Sequence, residues 1–587
     1  MISALRSDYA ADKIANSTTV YTREDLHALP ARDLGEALSY MPGVSIQNSG
    51  PFGQSSSISM RGSDSRQVLV MVDGIPFNTQ LSGQANLSRI PLENVERIEV
   101  IRGGDSSAWG SSLGGVINVI TRATGVGEKP HVKLTSSFGQ FASTKNSLEI
   151  SGGAGKFGLL TSGSFLHADG NLAQSRTQEI KNDTKLSYDF NDTTKMNASF
   201  GYSGAKLRYG PTNAARIIDQ PYISRYGQIG LSVGQQEHHW EIAYKYNDQD
   251  VDGNTYNSNT GAQLATSVSR DLYHGLSIQS RNQITADQIL TAGSDFDWHA
   301  IKSNLYLTKS ESVNMQAPFA NYMWTVNDWD FQPSVRFDNN SHFGSQLSPS
   351  FGMVYHLPQW RGALIRTRAA KVFNAPPLLW VYNNDPLLGV AANPDLKAER
   401  AYTYELGFEF KPFSPVLVSL EGYYSEVKDA IAGVPFEGNN SIFQKRNFKK
   451  FRRQGGQIKV DYKINSHFSL YSSAELNDVK NVQTKQLVRD AGIARDAFKW
   501  GLRYKSNGGF GAALEGYYSR SLATPGQAND RKPIFDLKLT EDFNNIFDDI
   551  EVEIFFNIHN LTNSSYFVSP TFPNPGRYVE GGFSLSF

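Results

Sequence analysis

The chain has 587 residues, of which 19% are charged and 12% aromatic, with 51 glycines, no cysteine and a formal net charge of -1. Near-neutrality removes the basic field that nucleic-acid binding needs, so no nucleic-acid partner is expected. The missing cysteine excludes disulfides, thiolate metal sites and a cysteine nucleophile.

No run of 18 apolar residues occurs, so a helical membrane span is excluded. The opening "MISALRSDYAADKIANS" lacks the apolar stretch of a secretory signal, which leads us to expect either a protein that is not exported or a mature or shortened chain. Residues 22–44 then place Leu26, Leu29, Leu34, Ala37, Leu38 and Met41 at helical spacing, with Thr22 and Asp25 as a cap and Pro42-Gly43 as a stop. "RQVLVMVDGIPFN" reads as a buried strand followed by a tight turn at Asp73-Gly74. Residues 98–122, "IEVIRGGDSSAWGSSLGGVINVITR", join two apolar strands through a glycine-rich span. Within it, Gly110 to Gly114 match G-x-S-x-G, which would make Ser112 a nucleophile. The segment runs on into another strand and not into the helix such an elbow requires, so no enzyme is expected.

From residue 131 the pattern alternates with period two. In "YTYELGFEF" Tyr404, Leu406, Phe408 and Phe410 share one face while Thr403, Glu405, Gly407 and Glu409 share the other. A soluble sandwich would explain one or two such strands, but the connections alternate between short polar turns, such as "NDTT" (191–194), and long segments such as 205–223, 248–267, 373–400 and 426–455. About 22 strands fit after residue 125, the antiparallel, even-numbered arrangement of an outer-membrane barrel. So wide a barrel is an open pore unless plugged. The expected fold is therefore an all-β membrane protein, a 22-stranded antiparallel β-barrel over 126–587 filled by an N-terminal α+β plug domain over 1–125.

Several motifs in order strengthen this reading: "LGEALSYMPGVSI", "SISMRGSDSRQVLVMVDGIPFN", "NVERIEVIRGGDSSAWGSSLGGVINVITR", "NPDLKAERAYTYELGFE" and the ending "PNPGRYVEGGFSLSF". Together they resemble the TonB-dependent receptors of Gram-negative outer membranes. The resemblance implies active import of a scarce large ligand across the outer membrane, with TonB as energy-coupling partner and outer-membrane lipid and lipopolysaccharide as surroundings. A monomer with no tightly bound cofactor is expected. A passive porin or adhesin is the rival class, and it leaves the plug unexplained.

The resemblance also implies site residues. Arg61 and Arg102 are expected to bridge the plug to wall carboxylates, with Glu405 at one family position for such a partner. A second acidic position, in a "GVE" element, here reads Gly455-Gly456-Gln457, so one ionic lock is expected to be missing or rearranged. Ile2, Ser3 and Ala4, within residues 1–6, resemble the end of the TonB box, and weak TonB binding is expected from so short a remnant. The plug segment "NTQLSGQANLSRIPLENV" is most similar to the cobalamin receptor branch, which implies a ligand seated on Phe52, Gln54, Ser55, Asn78, Gln80, Ser82 and Gln84 under Tyr209, Tyr256, Trp380 and Tyr382. Amides, hydroxyls and aromatic walls suit a polar macrocycle. A ferric siderophore is the alternative, given the cation-rich "FQKRNFKKFRRQ" (443–454), whose other reading is a bridge to lipopolysaccharide phosphates. Haem comes next, but residues 377–392 contain no histidine to ligate iron. Asp248, Asp250, Asp252 and Asn254 alternate like half of a calcium loop and are the candidate metal ligands.

Overall fold

The computed structural model describes all residues except 1, 4, 49–52, 54, 211–214, 236, 306–308, 361, 385–389, 437–438, 489–493, 522–531, 548–549, 565–566, 570–571 and 574. The period-two alternation becomes a closed barrel of 22 long antiparallel strands. Closure is made by the last strand, Tyr578–Ser586, pairing with the first, His131–Gly139, in the register Glu580 to Gly139. Apolar side chains of each strand face outward, where a water-soluble protein would have polar ones: Leu406 is 59% exposed while Ala401 and Glu399 on the same strand are buried. An outward apolar band with a polar interior is what lipid on one side and a filled lumen on the other demand.

Short turns lie at one end, as expected. At the other end much of the expected loop is strand: His238–Asn257 pairs with Gln263–Thr285, and Val416–Phe436 with Asn439–Lys463. Segments 248–267 and 426–455 are thus mostly ladders that project past the membrane. Segment 373–400 does leave the ladder for the most part, and it carries a short helix, Leu378–Tyr382.

Inside the barrel, the N-terminal region builds a mixed sheet from β1 (Ser17–Thr22), β4 (Val68–Val72), β5 (Ile75–Pro76), β6 (Val95–Arg102) and β7 (Gly115–Thr121), in the order β1-β6-β7-β4-β5. A separate hairpin joins β2 (Val44–Asn48) and β3 (Ser56–Met60). The helical stretch expected over 22–44 is two helices, α1 (Arg23–Ala28) and α2 (Leu34–Ser39). Pro30, which lacks an N–H donor, falls between them. Thr22 and Asp25 close the capping box that starts α1, and Asp33 caps α2. Leu34, Leu38 and Met41 pack with Val70, Val100, Ile117 and Val119 in the plug core. The Asp73-Gly74 turn has both residues in the left-handed region (φ 48° and 79°), as a two-residue hairpin turn requires.

Candidate functional site

Arg102 ends β6, the strand that its own apolar alternation pins in the sheet. Its Nη2 donates to Glu421 Oε1 at 3.1 Å, while Nε and Nη1 are taken by Ser17 Oγ and Thr19 Oγ1 of β1. Arg61 follows β3 in a left-handed turn with Gly62 (φ 47° and 73°), and its Nη2 donates to Glu421 Oε2 at 2.9 Å. Arg61 Nη1 also approaches Glu405 at 3.1 Å, but without an aligned hydrogen bond. One wall carboxylate, Glu421, therefore receives both plug arginines, and Glu405 joins Arg61 from the neighbouring strand. Two glycines make room. A Cβ at Gly43 (φ 77°) would collide with Arg102 Cδ, and one at Gly103 (φ 81°) with the Glu405 carboxylate.

Glu421 was not among the expected residues. Its place explains the missing acid at Gln457, because the two stand directly opposite each other on paired strands. The carboxylate that meets Arg102 thus stands one strand round the wall from Gln457. Burial disfavours the Arg61 guanidinium charge, yet Glu405 and Glu421 outweigh it and raise the Arg61 pKa.

Further charged pairs join plug to wall, and sequence reasoning named none of them. Arg66 makes a bidentate contact with Glu399, Arg89 donates to Glu179 at 2.6 Å, and Arg368 donates to Asp105 at 2.7 Å. Each arginine or carboxylate is buried, and each faces its opposite charge across the plug–wall boundary. Nothing in the local sequence marks them, since many other inward strand positions are also polar.

The candidate ligand residues divide into groups. Phe52 and Gln54 lie outside the described residues. Asn78 is occupied by the backbone: its Oδ1 accepts from Val70 N, and its Nδ2 donates to the Val68 and Gly83 carbonyls. It clamps the loop 79–84 to β4. Ser82 Oγ bonds Thr79 Oγ1 and accepts from Gln84 N within that loop, while Gln80 and Leu81 N–H groups donate to wall Asp271. The Leu378–Tyr382 helix docks on the same loop, Leu378 N and Leu379 N donating to the Gln80 and Leu81 carbonyls at 2.9 Å. This brings Trp380 and Tyr382 to the Gln80–Gln84 apex. Two cations lie over Trp380, with Arg66 Cζ at 4.7 Å and Lys445 Nζ at 4.6 Å from the ring centre. Tyr209 is buried instead in a wall cluster with Leu207 and Tyr222, its hydroxyl donating to Gln220. Tyr256 stands near the outer end of its strand, opposite Ile217. Ser55 is half-buried just before β3.

Of the coupling residues, Ala4 lies outside the described residues. Ile2 is buried and bridges Tyr9, and Ser3 donates to Glu99 through both its amide and its hydroxyl. Asp248 and Asp250 are held by guanidinium groups: Arg270 and Arg225 reach Asp248 at 2.7 and 3.1 Å, and Arg225 reaches Asp250 at 3.1 Å. Calcium there would have to displace two arginines, and among the described residues no group of three or more His, Asp or Glu is placed to hold a metal. Ser112 is buried between the helix Ser106–Trp109 and β7, and its hydroxyl donates to the Gly110 carbonyl.

Residues 10–116 match the TonB-dependent Receptor Plug Domain model, and residues 108–561 match the TonB dependent receptor-like β-barrel model. Among curated relatives, the chain is 24% identical over 522 residues to a "Vitamin B12 transporter BtuB" of Photobacterium profundum, covering 86% of this chain and 82% of that one. A protein of the same description from Vibrio cholerae is 24% identical over 527 residues, covering 85% and 80%. Among solved structures, the ferric enterobactin receptor PfeA of Pseudomonas aeruginosa superposes with a TM-score of 0.78 at 18% identity, covering 97% of this chain and 98% of that one. The "Copper transporter OprC" superposes at 0.81 with 16% identity and the same coverage. A plugged 22-stranded barrel whose two parts match both family models makes this chain a member of the TonB-dependent receptors, importers of the bacterial outer membrane.

Proposed function

We propose that the ligand imported is a corrinoid of the cobalamin type. The observation that carries this reading is the alignment with vitamin B12 transporters through plug and barrel alike, over 86% of the chain. The apex supports it chemically. Gln80, Ser82 and exposed Gln84 offer neutral donors and acceptors beside the half-buried Trp380 and Tyr382. Such a surface can orient a large amide-rimmed macrocycle by hydrogen bonds while the rings supply contact area.

A second reading, a ferric chelate of anionic siderophore, is favoured by one feature. Lys445 lies over the Trp380 ring and places a cation at the apex, whereas Arg66 on the same ring is already paired with Glu399. The cation-rich strand otherwise divides its charges between faces. Arg453 turns inward to Gln67, whereas Lys450 and Arg452 alternate with it on the other face, where lipopolysaccharide phosphates are the fitting counter-charge.

Tryptophan-fluorescence titration of the purified protein with cyanocobalamin, haemin and a ferric catecholate separates these readings. Saturable quenching by cyanocobalamin at micromolar concentration, lost in Trp380→Phe, is expected. Saturation by the ferric catecholate alone would overturn the corrinoid in favour of the second reading.

A further inference from the structure

The ladder of His238–Asn257 with Gln263–Thr285 holds the plug by its main chain. Asn247 Nδ2 donates to the Pro76 carbonyl at 2.9 Å, and Gln249 Nε2 donates to the Phe77 carbonyl at 3.2 Å. Asp271 stands directly opposite Gln249 on the paired strand, and one of its oxygens accepts from both Gln80 N and Leu81 N. Three wall side chains thus grip the plug backbone in order, from Pro76 into the apex loop 79–84.

Asp271 differs from the wall carboxylates Glu179, Glu399 and Glu421, each of which receives a plug arginine. What Asp271 receives from the plug is two neutral amides, and a buried carboxylate depends on such donors to keep its charge. Buried His299 stands behind it, Nδ1 lying 3.5 Å from the other Asp271 oxygen and the ring 5.0 Å from that of Tyr273. Tyr273 in turn donates to Asp297 at 2.8 Å, and Asp295, two residues away, holds Arg6 of the plug. This network fixes the carboxylate, and the carboxylate fixes two peptide N–H groups of the loop. The Gln80 and Leu81 carbonyls are engaged as well, by the helix Leu378–Tyr382. The loop's main chain is therefore committed to wall and helix, while the Gln80 and Gln84 side chains make no hydrogen bond among the described residues.

We propose that Asp271 is the positioning residue of the ligand site: it sets the backbone of loop 79–84 so that Gln80 and Gln84 are held in one arrangement before the ligand arrives. Asp271 makes no ligand contact itself. It acts through the loop, and its loss lowers the fraction of receptors whose loop is competent to bind. A carboxylate suits the task, because one oxygen takes two adjacent N–H groups and the loop's side chains stay available for recognition. The inference rests on the apex as the ligand site and holds for a corrinoid and a ferric chelate alike.

Because the chain has no native cysteine, Gln84→Cys gives a nitroxide spin label one target, on an exposed position of the loop, and its EPR spectrum in the whole purified protein reads loop order without any ligand. Asp271→Ala is expected to turn a mainly immobile label into a mainly mobile one. Asp271→Asn keeps an oxygen for the two amides and turns its NH2 towards His299, whose neutral ring accepts through Nδ1, so this variant is expected to restore most of the immobile component. The gel shift of the folded barrel on heating, retained in both variants, separates loop release from misfolding. Arg503→Ala, which breaks the plug–wall pair with Asp25 of α1, is expected to leave the spectrum unchanged. With Gln84 intact, Asp271→Ala is expected to weaken binding about tenfold, the result of a competent fraction reduced to about one-tenth, read with cyanocobalamin or the ferric catecholate, whichever saturates the parent. An immobile label in Asp271→Ala, an Asn variant as mobile as the Ala variant, equal mobility in Arg503→Ala, or unchanged affinity in Asp271→Ala would each overturn the proposal. Failure of cyanocobalamin to quench the parent counts against the corrinoid alone, because the label spectra are read without ligand.

Discussion

Glu421 holds two plug arginines, and its neutralisation is the sharpest perturbation of the lock. In Glu421→Gln, Arg102 keeps Ser17, Thr19 and the Pro42 carbonyl but no carboxylate, and Arg61 keeps only the poorly aligned Glu405. Removing one partner of a buried ion pair costs about 3–5 kcal/mol, and the partial exposure of Glu421 places it at the lower end, about 3 kcal/mol. In Glu405→Gln, Arg61 keeps its aligned bond to Glu421, and the cost falls to about 1 kcal/mol, that of one charge-assisted contact without good geometry. At roughly tenfold per 1.4 kcal/mol, plug opening becomes about a hundredfold more frequent in the first variant and less than about tenfold in the second. Hydrogen-exchange mass spectrometry of the β6 and β7 amides in detergent reads this directly. Asp219→Asn, which breaks the exposed pair with Arg208, serves as the control and is expected to leave exchange unchanged. Equal acceleration in the two glutamate variants, or none in Glu421→Gln, would refute the assignment of the lock to the second strand.

Asn78→Ala removes three hydrogen bonds that hold loop 79–84 on β4 and leaves the Val70 amide without its acceptor. A loss of about 2 kcal/mol in local stability is expected, with weaker ligand quenching of the apex tryptophan, whereas Gln84→Ala is expected to change ligand affinity alone. Burial pushes the Glu93 carboxyl up, but Lys145 and Lys181 outweigh it and hold its pKa at about 2, below the ordinary 4.5. A carboxyl lowered on folding stabilises the plug above its unfolded pKa, and this contribution, on the order of 3 kcal/mol, is lost as pH falls from about 4.5 towards 2. Lys145→Met is expected to flatten that acid limb, as measured by plug exchange across the same pH interval. An unchanged limb would show that Lys145 does not hold the Glu93 charge.

How much of this was legible depends on which solvent each face meets. Along Glu399–Phe413 one face meets lipid and the other a packed lumen, so Tyr404 and Leu406 announce the strand. Along "DVDGNTYN" (250–257) both faces lie outside the membrane. The apolar half of the alternation disappears while the backbone ladder persists, and the segment reads as loop. Asn78 shows a second limit. An amide in a polar loop can serve a ligand or the loop's own backbone, and only the positions of Val68, Val70 and Gly83 decide between them. The inner wall shows a third, because Glu179, Asp295, Glu399 and Glu421 occupy strand positions like many other inward polar residues. Which of them meets a plug arginine depends on register across several strands, and local spacing does not carry register.

Gln457 makes that point testable. Its side chain and Arg102 flank the same place above Gly43, and Glu421 stands opposite it on the paired strand, so a carboxylate on either strand lies beside the same guanidinium group. The requirement is a negative charge at one place in the lumen, not an acid at one position in the chain. Exchange of the two, Glu421→Gln with Gln457→Glu, returns a carboxylate to Arg102 and leaves Arg61 with Glu405. The exchanged protein is therefore expected to recover the larger share of the stability lost in Glu421→Gln alone, read by the same β6 and β7 exchange rates. A doubly exchanged plug that opens as often as the single variant would mean that Glu421 acts through its strand geometry and not through its charge.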